Sequence, residues 1–364
     1  MPLNAFYGSK INIMKTLKFN TALLILVLLA ATSFARKEEF SKEISKSFDI
    51  DKNANLIVKN KFGLVHCANW DKSSISIKVT ITVDASDQKK ANSYFDKIDI
   101  SLTGNRAEVK AVTEFGNNAF GNNNNISVDY LIYLPASVNV DIKNKFGEVI
   151  VDEVGGTADI YVAYGSLRAK RLLNEDNKLK MSFSEGCFIG YLNSADVELK
   201  YSDLEVSEVK NISLETGFSE LKIGAAEVIT LESGYDDLYV GTVRDIDIDS
   251  DFSDLEIRNV KQRLVADYSY GDLNVKQIDK DFLLIDLDNS FGDAKIGIEE
   301  GASFKLIANI KMGDFEFPED NARLSVVDLS FSSNKYEGVI GGNENTKSKV
   351  ILETSHSDVS LFFR

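Results

Sequence analysis

Acidic side chains recur at one position of a sequence repeat, and they are the residues of this chain most suited to binding a ligand. Each follows an aromatic residue by two positions, as in Tyr201-Ser202-Asp203. If the repeats stack as strands, neighbouring carboxylates lie about 4.8 Å apart, where two unit charges repel by about 1 kcal/mol in water. Such a column attracts Ca²⁺, which prefers oxygen ligands. The candidate metal ligands are Asp203, Glu220, Asp237, Asp254, Asp272 and Asp293.

Turn chemistry accounts for the same acids without a ligand. Asp, Asn and Ser side chains accept hydrogen bonds from backbone N–H groups at corners, and a small residue beside them tolerates a positive φ. The glycine-rich nonapeptide of calcium-loaded β-rolls is absent from the sequence. The turn interpretation is therefore favoured, weak Ca²⁺ binding is the alternative, and no cofactor is expected.

No constellation of residues indicates an enzyme. His66 and His356, the two histidines, stand in repeats at opposite ends of the chain, so no Ser/His or Cys/His couple is implied. Arg168 and Arg171 are close to the acids but are expected to be solvated. The single tryptophan, Trp70, is expected to pack within an insertion rather than against a sugar. The chain is predicted to be non-enzymatic.

The elements that position these acids follow from the period of the repeat. Aromatic residues recur every 17 to 21 residues from Phe146 to Phe291, with alternating apolar residues between them. Met312, Phe331 and His356 occupy the equivalent position afterwards, and an earlier copy surrounds Phe62. A regular spacing filled with period-2 alternation predicts an all-β solenoid, with about 12 stacked rungs.

Alternation also assigns faces to the repeat. In 197–206, Val197, Leu199 and Tyr201 share one parity, which predicts that the aromatics form a stacked column in the core. The small residue then forms the corner, and the acid faces solvent. A second inward column, locally Thr216, Ser233 and Ser250, is expected to hydrogen-bond along the axis.

The segment 68–139 interrupts the repeat. We predict a strand at 74–84, a helix near 86–96 with Ser86 or Asp87 as its N-cap, and strands near 98–103, 106–113 and 126–134. This insertion would cover the first rung, because open strand edges recruit other chains. The predicted organisation is 36–139 for the first rung with its cap and 140–364 for the solenoid.

The first 35 residues have the pattern of a signal peptide. Lysines precede a short apolar run, Ser33-Phe34-Ala35 resembles a cleavage site, and Met14 is the more natural start. Removal of residues 1–35 takes away three lysines and no acids, so the net charge falls from −15 to −18. A surface this acidic disfavours nucleic acid and anionic membranes, and no membrane span is expected after cleavage.

The chain holds two cysteines, Cys67 and Cys187. If the copy around Phe62 stacks on the copy around Phe146, the two cysteines lie three rungs apart, about 14 Å at the usual strand spacing. A disulfide needs Cα atoms within about 7 Å. Two buried free thiols are therefore predicted, although the exported compartment would permit a disulfide.

Paired phrases at 56–67 (LIVKNKFGLVHC) and 140–151 (VDIKNKFGEVIV) flank the insertion, and aromatic-small-acid rungs follow. In this arrangement, residues 45–364 resemble the putative-adhesin family of exported bacterial domains. The resemblance implies a right-handed parallel β-helix in the periplasm or on the surface of a Gram-negative bacterium. It favours an adhesin or an envelope scaffold that binds a protein or glycan. The alternatives are a β-helix that binds or cleaves carbohydrate and a periplasmic signalling component.

Overall fold

The computed structural model describes residues 38–116, 126–330 and 332–364. The predicted signal peptide at 1–35 lies outside these ranges. The described chain is almost entirely strand, with one α-helix, α1 (Gln88–Phe95), and a 3₁₀ turn at Glu319–Asn321. The strands before the main repeat are β1 (Glu38–Asp49), β2 (Asn55–Lys59), β3 (Val65–Asn69), β4 (Ser74–Ala85), β5 (Ile98–Gly104), β6 (Glu108–Phe115) and β7 (Ile126–Leu134).

A parallel β-helix of about nine turns forms the body of the protein. Its strands are β8 (Asn139–Asn144), β9 (Glu148–Val154), β10 (Ala158–Ala163), β11 (Ser166–Leu172), β12 (Asn177–Ser182), β13 (Cys187–Lys200), β14 (Asp203–Gly217), β15 (Glu220–Gly234), β16 (Asp237–Asp251), β17 (Asp254–Ser269), β18 (Leu273–Ile278), β19 (Leu284–Ser290) and β20 (Ala294–Ile298). Each pairs in parallel with the turns before and after it. The predicted all-β solenoid is confirmed.

The core is a set of aliphatic columns. Leu204, Leu221, Leu238 and Leu255 stand in register in successive turns and are all buried. Within β14 the buried positions are two apart, then three apart at Val206, Val209 and Ile212, then two apart again. Each step of three marks a bend of the strand, because it resets the alternation of faces.

The aromatic residues do not lie in this core, so the predicted core column is wrong. Leu199 is buried, but Tyr201 is 51% exposed, and the next residue, Ser202, is buried. Tyr201 has a left-handed backbone with a φ of 51°. One left-handed residue turns the chain sharply, so the ring swings outward and the small residue takes the inward place.

The N-terminal insertion forms a cap, as the sequence predicts. β2 and β3 make the first turn, β6 and β5 extend one side of it, and β7, β4 and β1 extend the other. Helix α1 packs against β4, β1 and β5, and its N-cap Asp87 accepts a hydrogen bond from the Lys90 amide at 2.8 Å. Strand β1 was not predicted. No helix in the described ranges is long and apolar enough to cross a membrane.

The C-terminal turns are not stacked in chain order. The strands are β21 (Phe304–Lys311), β22 (Phe315–Glu316), β23 (Ala322–Ser330), β24 (Ser333–Ile340), β25 (Lys349–Ser355) and β26 (Val359–Phe363). Strand β25 pairs with β19 on one side and with β21 on the other. The last turn of the chain therefore lies between two turns that precede it in sequence. Strands β23 and β24 form an antiparallel hairpin over the end.

The solenoid has about nine turns, slightly fewer than the about 12 rungs that the sequence predicts. His356 belongs to the turn stacked on Phe291, and Met312 belongs to the turn beyond it. The predicted rung at Phe331 lies outside the described residues.

The two cysteines are free and buried, as predicted. Strand register places Cys67 beside Val151, then Ala169, then Ile189, two residues beyond Cys187. The thiols are thus three turns apart. Burial raises the pKa of Cys67 to about 12 and that of Cys187 to about 11, so neither thiol is poised for nucleophilic chemistry.

Candidate interaction surface

The aromatic residues of the repeat form an exposed stack along one corner of the solenoid, here called the aromatic ladder. Neighbouring ring centroids are 4.8–5.1 Å apart and the ring planes differ by 1–13°. The rings from Phe146 to Phe291 are each 39–54% exposed. The ladder comprises Phe62, Phe146, Tyr164, Phe183, Tyr201, Phe218, Tyr235, Phe252, Tyr270, Phe291 and His356.

Backbone conformation holds the rings outward. From Tyr164 onward every ladder residue has a φ of 51–62°, a left-handed conformation that costs a residue with a side chain about 1–2 kcal/mol. Stacking contributes about 0.5–1.5 kcal/mol per ring pair. Parallel pairing of the flanking strands then fixes the same geometry in each turn, so the column as a whole offsets the local strain.

The stack leaves ring edges exposed and ring faces covered. Each ring inside the ladder has a neighbour about 5 Å away on both sides, with nearly parallel planes. Sugars and cations bind aromatic side chains over the ring face. Within the ladder those faces are already occupied, so the surface presents a narrow apolar ridge of ring edges.

This ridge is larger than the apolar patches usual on a monomer. An aromatic side chain offers ~200 Å² of surface, so half-exposed rings along nine turns expose roughly 900 Å². The largest apolar patch on a typical monomeric protein is ~300–600 Å² and is often functional. The aromatic ladder therefore has the size of a protein interaction surface.

The predicted acidic column runs beside the ladder, and its residues are called the corner acids. Glu220, Asp237, Asp254, Asp272 and Asp293 are exposed and Asp203 is half-buried. The groove along the rings of Phe218, Tyr235, Phe252 and Tyr270 is also lined by corner acids of the same turns. The corner acids thus share one surface with the aromatic ladder.

Most corner acids accept a hydrogen bond from the backbone of a neighbouring turn. The Asp254 carboxylate accepts from the Asp272 amide at 3.1 Å, and the Asp272 carboxylate accepts from the Asp293 amide at 2.9 Å. The Asp203 carboxylate accepts from the Gly186 amide. These contacts are the turn chemistry favoured from the sequence. No group of three metal-ligating side chains occurs in the described ranges, and weak Ca²⁺ binding by the corner acids stays a prediction.

A second acidic column flanks the ladder on its other side and was missed in the sequence. Its residues stand three positions before the ladder residue of each turn and are in register from turn to turn. A small residue such as Gly217 or Ser269 separates this column from the rings. The strand acids are Glu198, Glu215, Glu232, Asp249, Asp267, Asp288 and Glu353.

Positive charge compensates these acids only toward the N-terminal end. Lys180 and Lys200 pair with Glu198 at 2.6 and 2.9 Å, and Lys180 and Lys143 occupy the strand-acid column in earlier turns. Four later strand acids and four later corner acids have no ion pair within the described part of the chain: Glu232, Asp249, Asp267, Asp288, Asp237, Asp254, Asp272 and Asp293.

Desolvation and repulsion between carboxylates raise the pKa of two acids near the ladder. Burial, together with the negative charges of Asp288, Asp249 and Asp251, raises the pKa of Asp267 above 3.8. Burial and the charge of Asp288 likewise raise the pKa of Asp286. The fold therefore binds protons at these carboxyls more tightly than the unfolded chain does, and stability falls as the pH rises through this window.

Asp267→Asn is accordingly expected to raise the melting temperature near neutral pH at low salt. The gain should disappear at about pH 3, where Asp267 is protonated in both states, and should shrink in about 0.5 M salt. Thermal unfolding followed by circular dichroism measures both. Glu208→Gln, an exposed acid half a turn away from the ladder, is the matched control, and a melting temperature lowered by Asp267→Asn at neutral pH would contradict the repulsion.

The other residues singled out in the sequence have structural surroundings. Trp70 stacks on Tyr133 at 5.6 Å and donates to the Ser74 carbonyl at 2.8 Å, so it packs within the insertion as expected. Exposed Arg168 pairs with Glu148 at 2.8 Å. His356 accepts or donates a hydrogen bond with Ser355 but is stacked in the ladder. These residues converge on no common site.

Comparison with known proteins finds similarity to the solved structures of at least three proteins. No protein-family model matches the chain, and no curated protein matches it. A putative cell adhesion protein from Clostridium sporogenes is 10% identical, with a TM-score of 0.21, over 89% of this chain and 100% of that one. Putative adhesins from Bacteroides fragilis and Parabacteroides distasonis are 10% and 12% identical, with TM-scores of 0.26 and 0.36, over 88% and 72% of this chain and 97% and 98% of theirs.

Proposed function

We propose that this chain is an exported, non-enzymatic β-solenoid that binds a partner at the cell envelope, in an adhesin-like or scaffolding role. The observation that carries the proposal is the aromatic ladder, an exposed apolar ridge of roughly 900 Å² where a folded monomer would normally bury its rings. The signal-peptide pattern of residues 1–35 supports export.

The rigidity of the ladder supports a binding role. Its rings are fixed by stacking and by the paired backbone of each turn, so a partner loses little free energy to ordering this surface. The ridge is about 50 Å long when its ten ring-to-ring steps, each close to 5 Å, are added. A surface of that shape suits an extended partner.

The carbohydrate alternative has less support. A polysaccharide-cleaving β-helix needs a groove walled by long loops, whereas β14, β15, β16 and β17 run from one corner to the next without a loop. Sugar stacking needs open ring faces, and the ladder offers edges. These two features favour the non-enzymatic proposal over a lyase or a sugar-binding module.

Cell adhesion tests the proposal. The protein is displayed on bacteria, and attachment is measured to surfaces coated with basic, neutral or acidic polypeptides and with glycans. Tyr235→Asn/Phe252→Asn should reduce attachment about tenfold, and Asn tolerates the left-handed backbone at both positions.

The control variant removes apolar surface elsewhere. Tyr191→Ala/Leu283→Ala acts at positions about half a turn from the ladder along the chain and should attach as the wild type does. Equal attachment by all three proteins would overturn the role of the ladder. Turnover of any polysaccharide in an activity screen would overturn the non-enzymatic proposal.

A further inference from the structure

The part of the aromatic ladder from Phe218 to His356 differs from the rest in its charge. Corner acids line one side of these rings and strand acids line the other. Most of the acids here have no cationic partner in the described chain, whereas earlier turns carry Lys143, Lys180 and Lys200 beside the ladder. This stretch therefore combines an apolar ridge with two uncompensated rows of negative charge.

We propose that this stretch binds an extended basic polypeptide segment of another protein. The segment lies along the rings from Phe218 to His356 and places Lys or Arg side chains against the corner acids and the strand acids. The inference rests on the proposed function and names the chemistry of its partner.

The length of this part of the ladder suits an extended polypeptide segment. Five ring-to-ring steps of 4.8–5.0 Å separate Phe218 from His356, about 24 Å in all. An extended chain advances ~3.3 Å per residue, so roughly seven residues cover the stretch. Side chains alternate to its two sides, which lets one segment reach both rows of acids while its apolar groups contact the ring edges.

Charge complementarity selects a basic segment over other partners. Acidic or phosphorylated polymers would meet carboxylates on both sides of the rings. The residue between a ring and the neighbouring strand acid is small, as at Gly234 and Ser290, except before Phe252, where Asp251 adds a further carboxylate. No basic or bulky apolar side chain therefore shields the acids from this part of the ladder. Replacing water around these unpaired carboxylates with Lys or Arg relieves their mutual repulsion.

Binding would proceed through side chains rather than by addition of a strand. The backbone at the ladder is already paired between turns, as where the Tyr235 amide donates to the Asp251 carbonyl and the Asp237 amide donates to the Ser219 carbonyl, both at 3.1 Å. We therefore expect a sequence preference for pairs of basic residues between pairs of apolar residues, because consecutive side chains point to opposite sides of an extended segment. The affinity should depend strongly on salt.

Fluorescence anisotropy with a labelled ten-residue peptide, in which pairs of Lys alternate with pairs of Val so that both sides of the extended chain carry Lys, tests this. The peptide should bind the wild-type protein at low salt and lose about tenfold in affinity between about 50 mM and 500 mM salt, because screening weakens exposed charge pairs. A peptide with Glu in place of Lys should not bind. Spermine serves as a competitor that carries charge without an extended apolar side.

Two matched variants localise the binding. Glu232→Gln/Asp249→Asn/Asp267→Asn neutralises three strand acids and should weaken peptide binding at least about tenfold. Glu175→Gln/Asp176→Asn/Glu208→Gln removes the same charge from exposed positions half a turn away and should change affinity less than about twofold. Circular dichroism and melting temperatures confirm that both variants are folded.

The outcomes separate the two proposals. Equal losses in both triple variants, or displacement of the peptide by spermine at equal charge concentration, would show a net-charge effect and overturn the basic-segment proposal. If the basic peptide fails to bind while Tyr235→Asn/Phe252→Asn still reduces cell attachment about tenfold, the partner chemistry is wrong and the proposed function stands. If neither peptide binding nor attachment depends on the ladder, both proposals fail.

Discussion

Replacement of Gly292 by alanine is expected to destabilise the protein by about 3 kcal/mol. Gly292 occupies the small-residue position after the ladder residue Phe291 and is buried. A Cβ atom there would lie 1.9 Å from the Gly271 carbonyl oxygen and 2.8 Å from its carbon. Both are backbone atoms of the turn below, which cannot rotate away, so the two turns must separate. Overpacking of this kind costs about 1–3 kcal/mol, occasionally more.

Separation of these turns would also disturb the ladder. Tyr270 and Phe291 stack at 5.0 Å across the same contact, and the Gly292 amide donates to the Ser357 hydroxyl at 3.2 Å. Urea unfolding measures the loss. Gly234→Ala is the control, because a Cβ there meets no atom within 4 Å, and it should be neutral or slightly stabilising through the unfolded chain. Equal stability of the two variants would refute the close contact between turns.

Replacement of Asp236 by alanine is expected to cost about 3 kcal/mol as well. Asp236 takes the same inward position as Gly292 and is buried among polar groups. Its carboxylate accepts from the hydroxyls of Thr216 and Ser233 at 2.6 and 2.8 Å, and from the amides of Ser219 and Gly234 at 2.6 and 3.0 Å. Alanine removes the acceptor that these four donors share. The two hydroxyls keep weaker or alternative partners, but the Ser219 amide loses its side-chain acceptor, and a buried unsatisfied donor costs about 1–3 kcal/mol.

Asp236→Ser should recover most of the lost stability. Serine occupies this position at Ser202 and Ser219, where its hydroxyl accepts from the amide of the turn below at 3.1–3.2 Å. A serine at 236 can accept from the Ser219 amide in the same way. Chemical denaturation measures the free energy of unfolding of the wild type, Asp236→Ala and Asp236→Ser. An Asp236→Ala variant as stable as the wild type would show that the carboxylate is not needed to pair the donors of this cluster.

The cluster also modifies one expectation from the sequence. Thr216 and Ser250 are buried and Ser233 is half-buried, as the predicted second inward column requires. Their hydroxyls do not bond to one another along the axis. Thr216 and Ser233 bond to Asp236, and Ser233 also contacts the Ser253 hydroxyl at 3.0 Å. The left-handed backbone of each ladder residue turns the small residue that follows it toward the core. The small residues therefore lie beside the hydroxyls of this second inward column.

Order along the axis could not be predicted from the repeat. The period assigns each copy of the repeat to one turn of the solenoid. The strands of every turn, however, have edges above and below that are able to pair with those of any other turn. The position of β25 between β19 and β21 depends on pairing between residues more than 60 apart in sequence, such as Leu287 with Leu352. Non-local pairing of this kind leaves no signal in local alternation.

The strand acids were missed for a related reason. A charged residue at an outward strand position is ordinary in any single copy, and Glu215 or Asp249 alone predicts only solvent exposure. Register turns them into a column, since parallel pairing brings one acid of each turn opposite the next. The corner acids stood out because the aromatic residue marks their position in every copy.

The sequence by itself determined the solenoid, its period, the inward aliphatic positions and the N-terminal cap, because alternation within a strand is a local property of the chain. The tertiary structure decided where the aromatic residues point. A single left-handed residue at Tyr201 or Phe252 breaks the alternation, and an isolated chain would gain nothing from that strained conformation. Only stacked turns compensate for it, since each ring then packs against the rings above and below.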